Sequence, residues 1–178
     1  DESDSKTTTT TPPVVNPPTT PQPPIASSVN YLALGDSYTI GQSVCATCRF
    51  PEQLKASLNA MYSSAISLKI IATTGWTTTN LLSAINSQNL EANYDLVTLL
   101  IGVNNQYQHK SFSVYEKEFP ELVNKAIMLA KGERKNVVVI SIPDYSYTPY
   151  GQALAGDQSN KISAEITQYN KFAENYCN

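Results

Sequence analysis

Ser37 stands where a serine could act as a nucleophile. It follows Gly35 and Asp36 and an apolar stretch at residues 31–34, which is typical of a buried strand. A serine at the turn from a strand into a helix is lifted clear of the sheet, and hydrolases place nucleophiles at such turns. The unpaired N–H groups of the helix's first turn face the same way. The alternative is an ordinary strand–helix loop with an N-capping serine, because the triplet alone is a weak signal.

Two later loops carry groups that would complement this nucleophile. Gly75 lies in one loop and Asn104 in another, and each loop follows a predicted strand. Because parallel strands end at one edge of a sheet, we expect both loops beside Ser37. The N–H groups of Ser37 and Gly75 and the Asn104 amide would then form an oxyanion hole for acyl transfer. Taken singly, such residues also suit turns, so it is their order along the chain that favours catalysis.

Alternating strand and helix patterns would position these loops. We predict strands at 30–34, 68–72, 96–101 and 137–142, and helices at 51–62, 79–85, 114–131 and from 160 towards the C terminus. The helices carry apolar residues three and four positions apart, and the third strand is almost wholly apolar. This order predicts an α/β fold with a parallel sheet covered on both faces. Pro120 predicts a kink or a late start of the third helix.

The motifs together resemble those of the SGNH/GDSL esterase superfamily. The resembling segments are Gly35-Asp36-Ser37-Tyr38, Gly75 before Trp76, and Gly102-Val103-Asn104-Asn105, where the family normally has Gly-x-Asn-Asp. The resemblance covers residues 29–178 and implies a three-layer, flavodoxin-like sandwich. It implies hydrolysis of carboxylic esters with no metal and no cofactor. Ser37 would be the nucleophile, and Ser37, Gly75 and Asn104 would be the oxyanion donors.

The resemblance also suggests which residues contact the substrate. The segment 141–145 resembles the family's loop that lines the acyl or leaving-group pocket. We expect substrate contacts from Asp36, Trp76, Asn105, Tyr107, His109, Asp144 and Tyr145. Further tyrosines, Tyr38, Tyr147 and Tyr150, suggest an aromatic-lined cleft. Small acyl esters, lysophospholipid-like esters and acetylated saccharides all fit such a cleft.

One part of the family pattern has no match. The family carries Asp-x-x-His near its C terminus, with the histidine as general base. Here the single histidine is His109, and Gln106 stands three positions before it. No predicted strand follows the last helix, so we expect the hydrolase domain at residues 28–178 to be C-terminally incomplete, without its fifth strand and catalytic histidine. A chain without the base would be nearly inactive.

Two alternatives to an incomplete enzyme remain open. In the first, the protein has lost its base and serves as a non-catalytic module that binds acyl groups or saccharides. In the second, His109 is the base, since its loop lies at the catalytic edge of the predicted sheet. A flavodoxin-like nucleotide binder would share the layer order. However, the turn around Ser37 has neither a Gly-rich phosphate loop nor a nearby Lys or Arg.

Composition limits the partners and the compartment. The chain has 12 basic and 15 acidic residues, a net charge of −3 and a pI near 5.1. It has no basic run, which argues against nucleic acid as a partner. Residues 1–27 are rich in Thr and Pro and predict a disordered linker. Such segments commonly tether exported domains, so we expect a periplasmic, cell-surface or secreted protein, with an inter-domain linker as the alternative.

Three cysteines remain to be assigned. Cys45 and Cys48 form a Cys-x-x-Cys motif, and Cys177 lies at the other end of the chain. A zinc site would need two further ligands, and the remaining candidates, Cys177 and His109, are far away in sequence. We therefore expect either a local disulfide or free thiols at Cys45 and Cys48, with Cys177 unpaired.

Overall fold

A parallel four-stranded sheet forms the centre of the protein. The computed structural model describes residues 28–62 and 65–178. The strands are β1 (Ser28–Gly35), β2 (Ala65–Ala72), β3 (Leu96–Leu100) and β4 (Val137–Val139). Their spatial order is β2-β1-β3-β4, and every pair is parallel. The predicted α/β fold with a parallel sheet is therefore confirmed, and each predicted strand is present.

Seven α-helices connect and cover the strands in the described part of the chain. They are α1 (Ser37–Ile40), α2 (Phe50–Tyr62), α3 (Thr78–Asn86), α4 (Val103–Tyr107), α5 (Phe112–Leu129), α6 (Pro149–Gln152) and α7 (Gln158–Cys177). The four longer helices match the predicted ones. Helices α1, α4 and α6, and the short 3-10 turns at Ala46–Cys48, Arg134–Asn136 and Tyr145–Tyr147, were not predicted. They are too short to show the apolar repeat on which a helix prediction depends.

The two faces of the sheet bury separate apolar clusters. On one face, Leu32 and Leu34 of β1 pack with α3, α5 and α7. On the other, Tyr31 and Ala33 of the same strand pack with Leu54 of α2. Side chains alternate between faces along a strand, so this division into three layers follows from the near-continuous apolar run in β1.

The first three strands end at the same level. Gly35, the last residue of β1, pairs with Ala72 at the end of β2 and with Leu100 at the end of β3. The loops that leave these three ends therefore start side by side. They carry Ser37, Gly75 and Asn104, respectively.

Two predicted boundaries are wrong. Strand β4 ends at Val139 instead of residue 142 because its partner, β3, ends at Leu100. Beyond the strand, the side chain of Asn170 bonds the main chain of Ile142. Its Oδ1 accepts from the Ile142 N–H at 2.8 Å, and its Nδ2 donates to the Ile142 carbonyl at 2.9 Å. Helix α5 begins at Phe112, so the late start that Pro120 suggested is wrong, while the alternative of a kink stays a prediction.

The remaining sequence features are partly visible. Cys45 and Cys48 form a disulfide, and Cys177 is free and exposed. The predicted linker at residues 1–27 lies outside the described residues. No helix in the described part of the chain is both long and apolar enough to cross a bilayer.

Candidate active site

Ser37 is the first residue of α1, directly after β1. The carboxylate of Asp36 caps this helix by accepting the Tyr38 N–H at 3.0 Å, and Gly41 ends it after one turn in the left-handed conformation. Within the described residues, the Ser37 N–H donates to no acceptor. The half-buried Ser37 thus presents a hydroxyl and a free N–H at the same turn.

The second and third loops are bonded to each other. The Asn104 Nδ2 donates to the Trp76 carbonyl at 2.9 Å, and the Gln108 Nε2 donates to the Gly75 carbonyl at 2.8 Å. Gly75 has a φ of 83°, a conformation that favours glycine. Its N–H has no acceptor among the residues that the structure describes. The two bonds hold this donor and the Asn104 amide in neighbouring loops.

Asn105 supports these loops from inside the protein. It is fully buried, its Oδ1 accepts the Thr78 N–H at 3.0 Å, and its Nδ2 donates to the Thr78 Oγ1 at 2.7 Å. The Thr78 hydroxyl in turn donates to Glu118 on α5 at 2.5 Å. The structure therefore gives no support for substrate contact by Asn105, because its side chain is enclosed and bonded to the start of α3.

Ser37 and Asn104 line one cavity of about 250 Å³. Its other lining residues are Tyr38, Val103, Tyr107, Tyr145 and Tyr150. The structure therefore brings together the predicted nucleophile, one predicted oxyanion donor and two predicted substrate contacts, Tyr107 and Tyr145. We call this space the nucleophile cavity.

A larger cavity of about 520 Å³ shares its tyrosine wall with the nucleophile cavity. It is lined by Gln106, Tyr107, His109, Tyr145, Tyr150, Leu154, Gln158, Lys161, Ile162 and Glu165. We call it the second cavity. His109 lines it and is not among the described residues that line the nucleophile cavity. The structure therefore gives no support for His109 as the base next to Ser37.

Comparison with known families decides the relationship. Residues 33–178 match the model of the GDSL-like lipase/acylhydrolase family. The chain belongs to this family. No curated protein matches the sequence.

Solved structures agree with the GDSL-like assignment at the level of fold. The lipase Lip_vut3 from a goat rumen metagenome is 18% identical, with a TM-score of 0.62, over 83% of this chain and 75% of that one. A lipase/acylhydrolase from Enterococcus faecalis is 18% identical, with a TM-score of 0.59, over 83% and 70%. AlinE4, an SGNH-hydrolase esterase, is 17% identical, with a TM-score of 0.53, over 84% and 75%.

Asp36 of the GDSL-like motif is buried beneath the nucleophile. Its side chain is fully enclosed, and its Oδ2 has no partner within the described residues. Burial raises the pKa of this carboxyl to about 6, although the N–H groups of Tyr38 and Asp36 act to lower it. Substrate contact by Asp36 is not supported, because its carboxylate points into the protein and caps α1.

Asp144 and Trp76 also support the site without lining either cavity. The Asp144 carboxylate accepts the Ser146 N–H at 2.9 Å and the Ser163 hydroxyl at 2.6 Å. Burial acts to raise its pKa, but these bonds outweigh burial and hold the pKa below its usual value. Trp76 packs against the larger core cluster and offers its carbonyl to Asn104. Direct substrate contact by either side chain is therefore not supported.

Several lining residues of the second cavity were not predicted from the sequence. Four of them lie on α7 at a spacing of three and four, namely Gln158, Lys161, Ile162 and Glu165. This spacing places them on one helix face, so the pattern was available in the sequence. Gln106 had no such signal, because its burial depends on distant partners.

Proposed function

We propose that the chain is a serine-type hydrolase of carboxylic esters. The observation that carries the proposal is the common level at which β1, β2 and β3 end, because it starts the loops of Ser37, Gly75 and Asn104 side by side. Membership of the GDSL-like lipase/acylhydrolase family supports the same chemistry. The shared cavity of Ser37 and Asn104 gives an ester room to approach.

The proposed reaction follows from the groups at this edge. The Ser37 Oγ attacks the ester carbonyl carbon, and the carbonyl oxygen becomes an oxyanion. The N–H groups of Ser37 and Gly75 and one N–H of the Asn104 amide would donate to it, each stabilising the transition state by about 3 kcal/mol. Collapse of the intermediate releases the alcohol and leaves an acyl group on Ser37, which water then removes. The small nucleophile cavity favours a short acyl group.

The proton of Ser37 needs an acceptor. Among the described residues, the lining of the nucleophile cavity includes neither a histidine nor a carboxylate. Loss of the base in a serine hydrolase costs on the order of 10⁶ in turnover. We therefore expect slow hydrolysis by these 178 residues alone, above the rate in water by roughly 10³.

The direct test is covalent capture of Ser37. An aryl fluorophosphonate should label the chain once, slowly because no base in the described lining of the nucleophile cavity activates Ser37, and mass spectrometry should locate the label on the peptide that contains Ser37. The substitution Ser37→Ala should abolish both the label and the slow hydrolysis of p-nitrophenyl acetate. Ser83→Ala, at an exposed position of α3, is the matched control and should change neither. Hydrolysis that is equal in Ser37→Ala and the unchanged chain would overturn the proposal.

A second candidate function is a non-catalytic binding module for acyl groups or saccharides. The observation that favours it is the same lack of a base in the described lining of the nucleophile cavity. It predicts that the chain binds an ester without phosphonate labelling or turnover. His109→Ala separates the cases further, since it would lower hydrolysis only if this imidazole served as the base.

We also propose that the protein is exported. Residues 1–27 would act as a tether for the domain, for example to a membrane. The Cys45–Cys48 disulfide supports this, because disulfides persist in oxidising compartments. Thiol alkylation of the protein in its native cells should modify Cys177 and leave Cys45 and Cys48 unmodified. Modification of all three would contradict export.

A further inference from the structure

Three tyrosine rings form the wall between the two cavities. Ring centroids of Tyr107 and Tyr145 are 6.0 Å apart, those of Tyr107 and Tyr150 are 6.4 Å apart, and those of Tyr145 and Tyr150 are 6.3 Å apart. We call these rings the tyrosine trio. Tyr107 and Tyr150 are about half exposed, at 51% and 54%. Exposed rings side by side within a cleft present an apolar surface with polar tips.

The rest of the second cavity is rich in hydrogen-bonding groups. Gln106 accepts from the Tyr145 hydroxyl at 2.7 Å and donates to the Glu165 carboxylate at 2.8 Å. Lys161 lies 3.9 Å from the other Glu165 oxygen. His109 and Gln158 complete this polar lining. Gln106 is buried, so the bonds on both ends of its amide fix Tyr145 and Glu165 in place.

The polar groups of this lining favour the alcohol half of an ester over its acyl half. An acyl chain would meet the rings of the tyrosine trio but only two aliphatic side chains among the described lining residues, Leu154 and Ile162. It would also cover the amide, carboxylate and ammonium groups without offering them hydrogen bonds, which is unfavourable. A sugar offers hydroxyls to those groups and apolar C–H faces to the tyrosine trio. The volume of about 520 Å³ lies in the range of sites for small ligands.

We propose that the second cavity is the alcohol subsite and that it binds the saccharide of an acylated carbohydrate. The short acyl group would occupy the nucleophile cavity beside Ser37, and the tyrosine trio would contact the sugar next to the ester. This inference rests on the proposed function, since the word alcohol presumes ester hydrolysis at Ser37. The saccharide site itself does not depend on that chemistry.

Calorimetric titration of the full chain tests the site without turnover. The probes are cellotetraose, xylotetraose and chitotetraose, with decanoate as the acyl probe. At least one tetrasaccharide should bind, and Tyr150→Ala and Gln158→Leu should each weaken its binding tenfold or more. Tyr147→Ala is the matched control: Tyr147 is 76% exposed and outside the described lining of either cavity. It should change binding less than twofold.

Three further results would overturn the proposal. Absence of binding by all three tetrasaccharides would overturn it, as would decanoate binding that Tyr150→Ala abolishes while no tetrasaccharide binds. Saccharide binding that Tyr150→Ala and Gln158→Leu leave unchanged would locate the site elsewhere and also overturn it.

The variant Ser37→Ala separates this proposal from the proposed function. It should bind the tetrasaccharide as the unchanged chain does. If its hydrolysis of p-nitrophenyl acetate is also unchanged, the esterase proposal fails and the second cavity is a saccharide site without an esterase. If hydrolysis is lost and no tetrasaccharide binds, the esterase stands and the saccharide subsite fails.

Discussion

In the proposed reaction, the amide group of Asn104 serves two purposes. One N–H of its Nδ2 donates to the Trp76 carbonyl at 2.9 Å, which orients the side chain and leaves the second N–H for a substrate oxygen. Its side chain also lines the nucleophile cavity beside Ser37. Orientation by a main-chain carbonyl is what gives an oxyanion donor its value, because the donor need not reorganise during the reaction.

We therefore predict that Asn104→Ala slows phosphonate labelling of Ser37 by about 10²–10³. The rate constant is read from intact mass against time, and circular dichroism checks that the variant is folded. Asn86→Ala, at the exposed end of α3, is the control and should label at the original rate. Labelling of Asn104→Ala within threefold of the original rate would exclude this residue as an oxyanion donor.

Asn105 and Glu118 form a directional relay through Thr78. The amide of Asn105 donates to the Thr78 hydroxyl, and that hydroxyl donates to Glu118. An aspartate at position 105, as in the family's usual motif, would leave two carboxylates competing for one hydroxyl hydrogen. The asparagine here is thus matched to the glutamate on α5.

This relay makes a rescue prediction. Asn105→Asp should lower the free energy of unfolding by roughly 1–3 kcal/mol at pH 7, because a buried acceptor loses its donor beside a like charge. Adding Glu118→Gln should restore at least half of the loss, since the glutamine amide can donate to Thr78 and the relay runs in reverse. Urea unfolding of the two single variants and the double variant measures the coupling. Additive losses would contradict the relay.

Asp36 makes stability depend on pH. Burial raises its pKa from 3.8 to about 6. Between these two pH values, the folded protein therefore holds a proton on Asp36 that the unfolded chain has lost. Its contribution to stability is complete below pH 4 and is lost as the pH rises through about 6. The difference between the two pKa values corresponds to roughly 3 kcal/mol.

Asp36→Asn should remove this dependence. The amide keeps the oxygen that caps α1 and cannot ionise. The variant's unfolding free energy, relative to the unchanged chain, should therefore rise by about 3 kcal/mol between pH 4 and pH 7. Asp144→Asn should show the opposite sign at lower pH. The pKa of Asp144 is lowered in the folded state, so its carboxylate stabilises the fold above about pH 4, and this contribution is lost as the pH falls further. If the stability of Asp36→Asn relative to the unchanged chain does not vary between pH 4 and pH 7, the raised pKa of Asp36 is contradicted.

At the scale of elements, the turn from β3 into α4 depends on Gly102. Its φ is 129°, and a Cβ there would lie 2.7 Å from both Ile142 Cδ1 and Tyr115 Cε2. Both neighbours are core residues and cannot move aside without disturbing the packing. The turn that presents Asn104 is therefore tied to the core.

Gly102→Ala should lower the unfolding free energy by roughly 2–5 kcal/mol, from strain and overpacking together. Gly132→Ala provides the control, because its φ is 76° and a Cβ at this position would meet nothing within 4 Å. It should cost about 1 kcal/mol from strain alone. Equal losses in the two variants, measured by urea unfolding, would show that the contact with Ile142 and Tyr115 is unimportant.

The sequence predicted elements where a periodic pattern ran long enough. Strands β1 and β3 and helix α5 were recognisable because their apolar residues repeat at the spacing of a strand or helix. The end of β4 was not, since it depends on where the neighbouring strand β3 ends and on Asn170, whose side chain bonds the Ile142 main chain from 28 positions away. Single long-range bonds leave no local pattern.

At the scale of the molecule, the parallel topology explains which part of the site could be predicted from the sequence. Parallel order brings three strand ends to one edge, so the neighbourhood of Ser37, Gly75 and Asn104 followed from their place after strands. The tyrosine trio could only be suggested, because Tyr107 and Tyr150 are 43 positions apart and meet through the course of α6. Likewise, the second cavity, which His109 lines, exists because α7 packs beside α4.

The whole chain combines a packed domain with a Thr/Pro-rich segment at residues 1–27. That segment offers little apolar surface to bury, and the burial of apolar surface provides most of the stability of a fold. Deletion of residues 1–24, which keeps three residues before β1, should therefore leave the unfolding free energy within about 0.5 kcal/mol of its original value.

The denaturant dependence of unfolding gives a second readout of this deletion. The m-value scales with the surface that unfolding exposes, and a segment that packs against nothing adds none. Equal m-values for the full and shortened chains would support the linker prediction. A smaller m-value for the shortened chain, together with a loss of about 2 kcal/mol or more in its unfolding free energy, would mean that the segment packs on the domain. The domain boundary would then lie before residue 28.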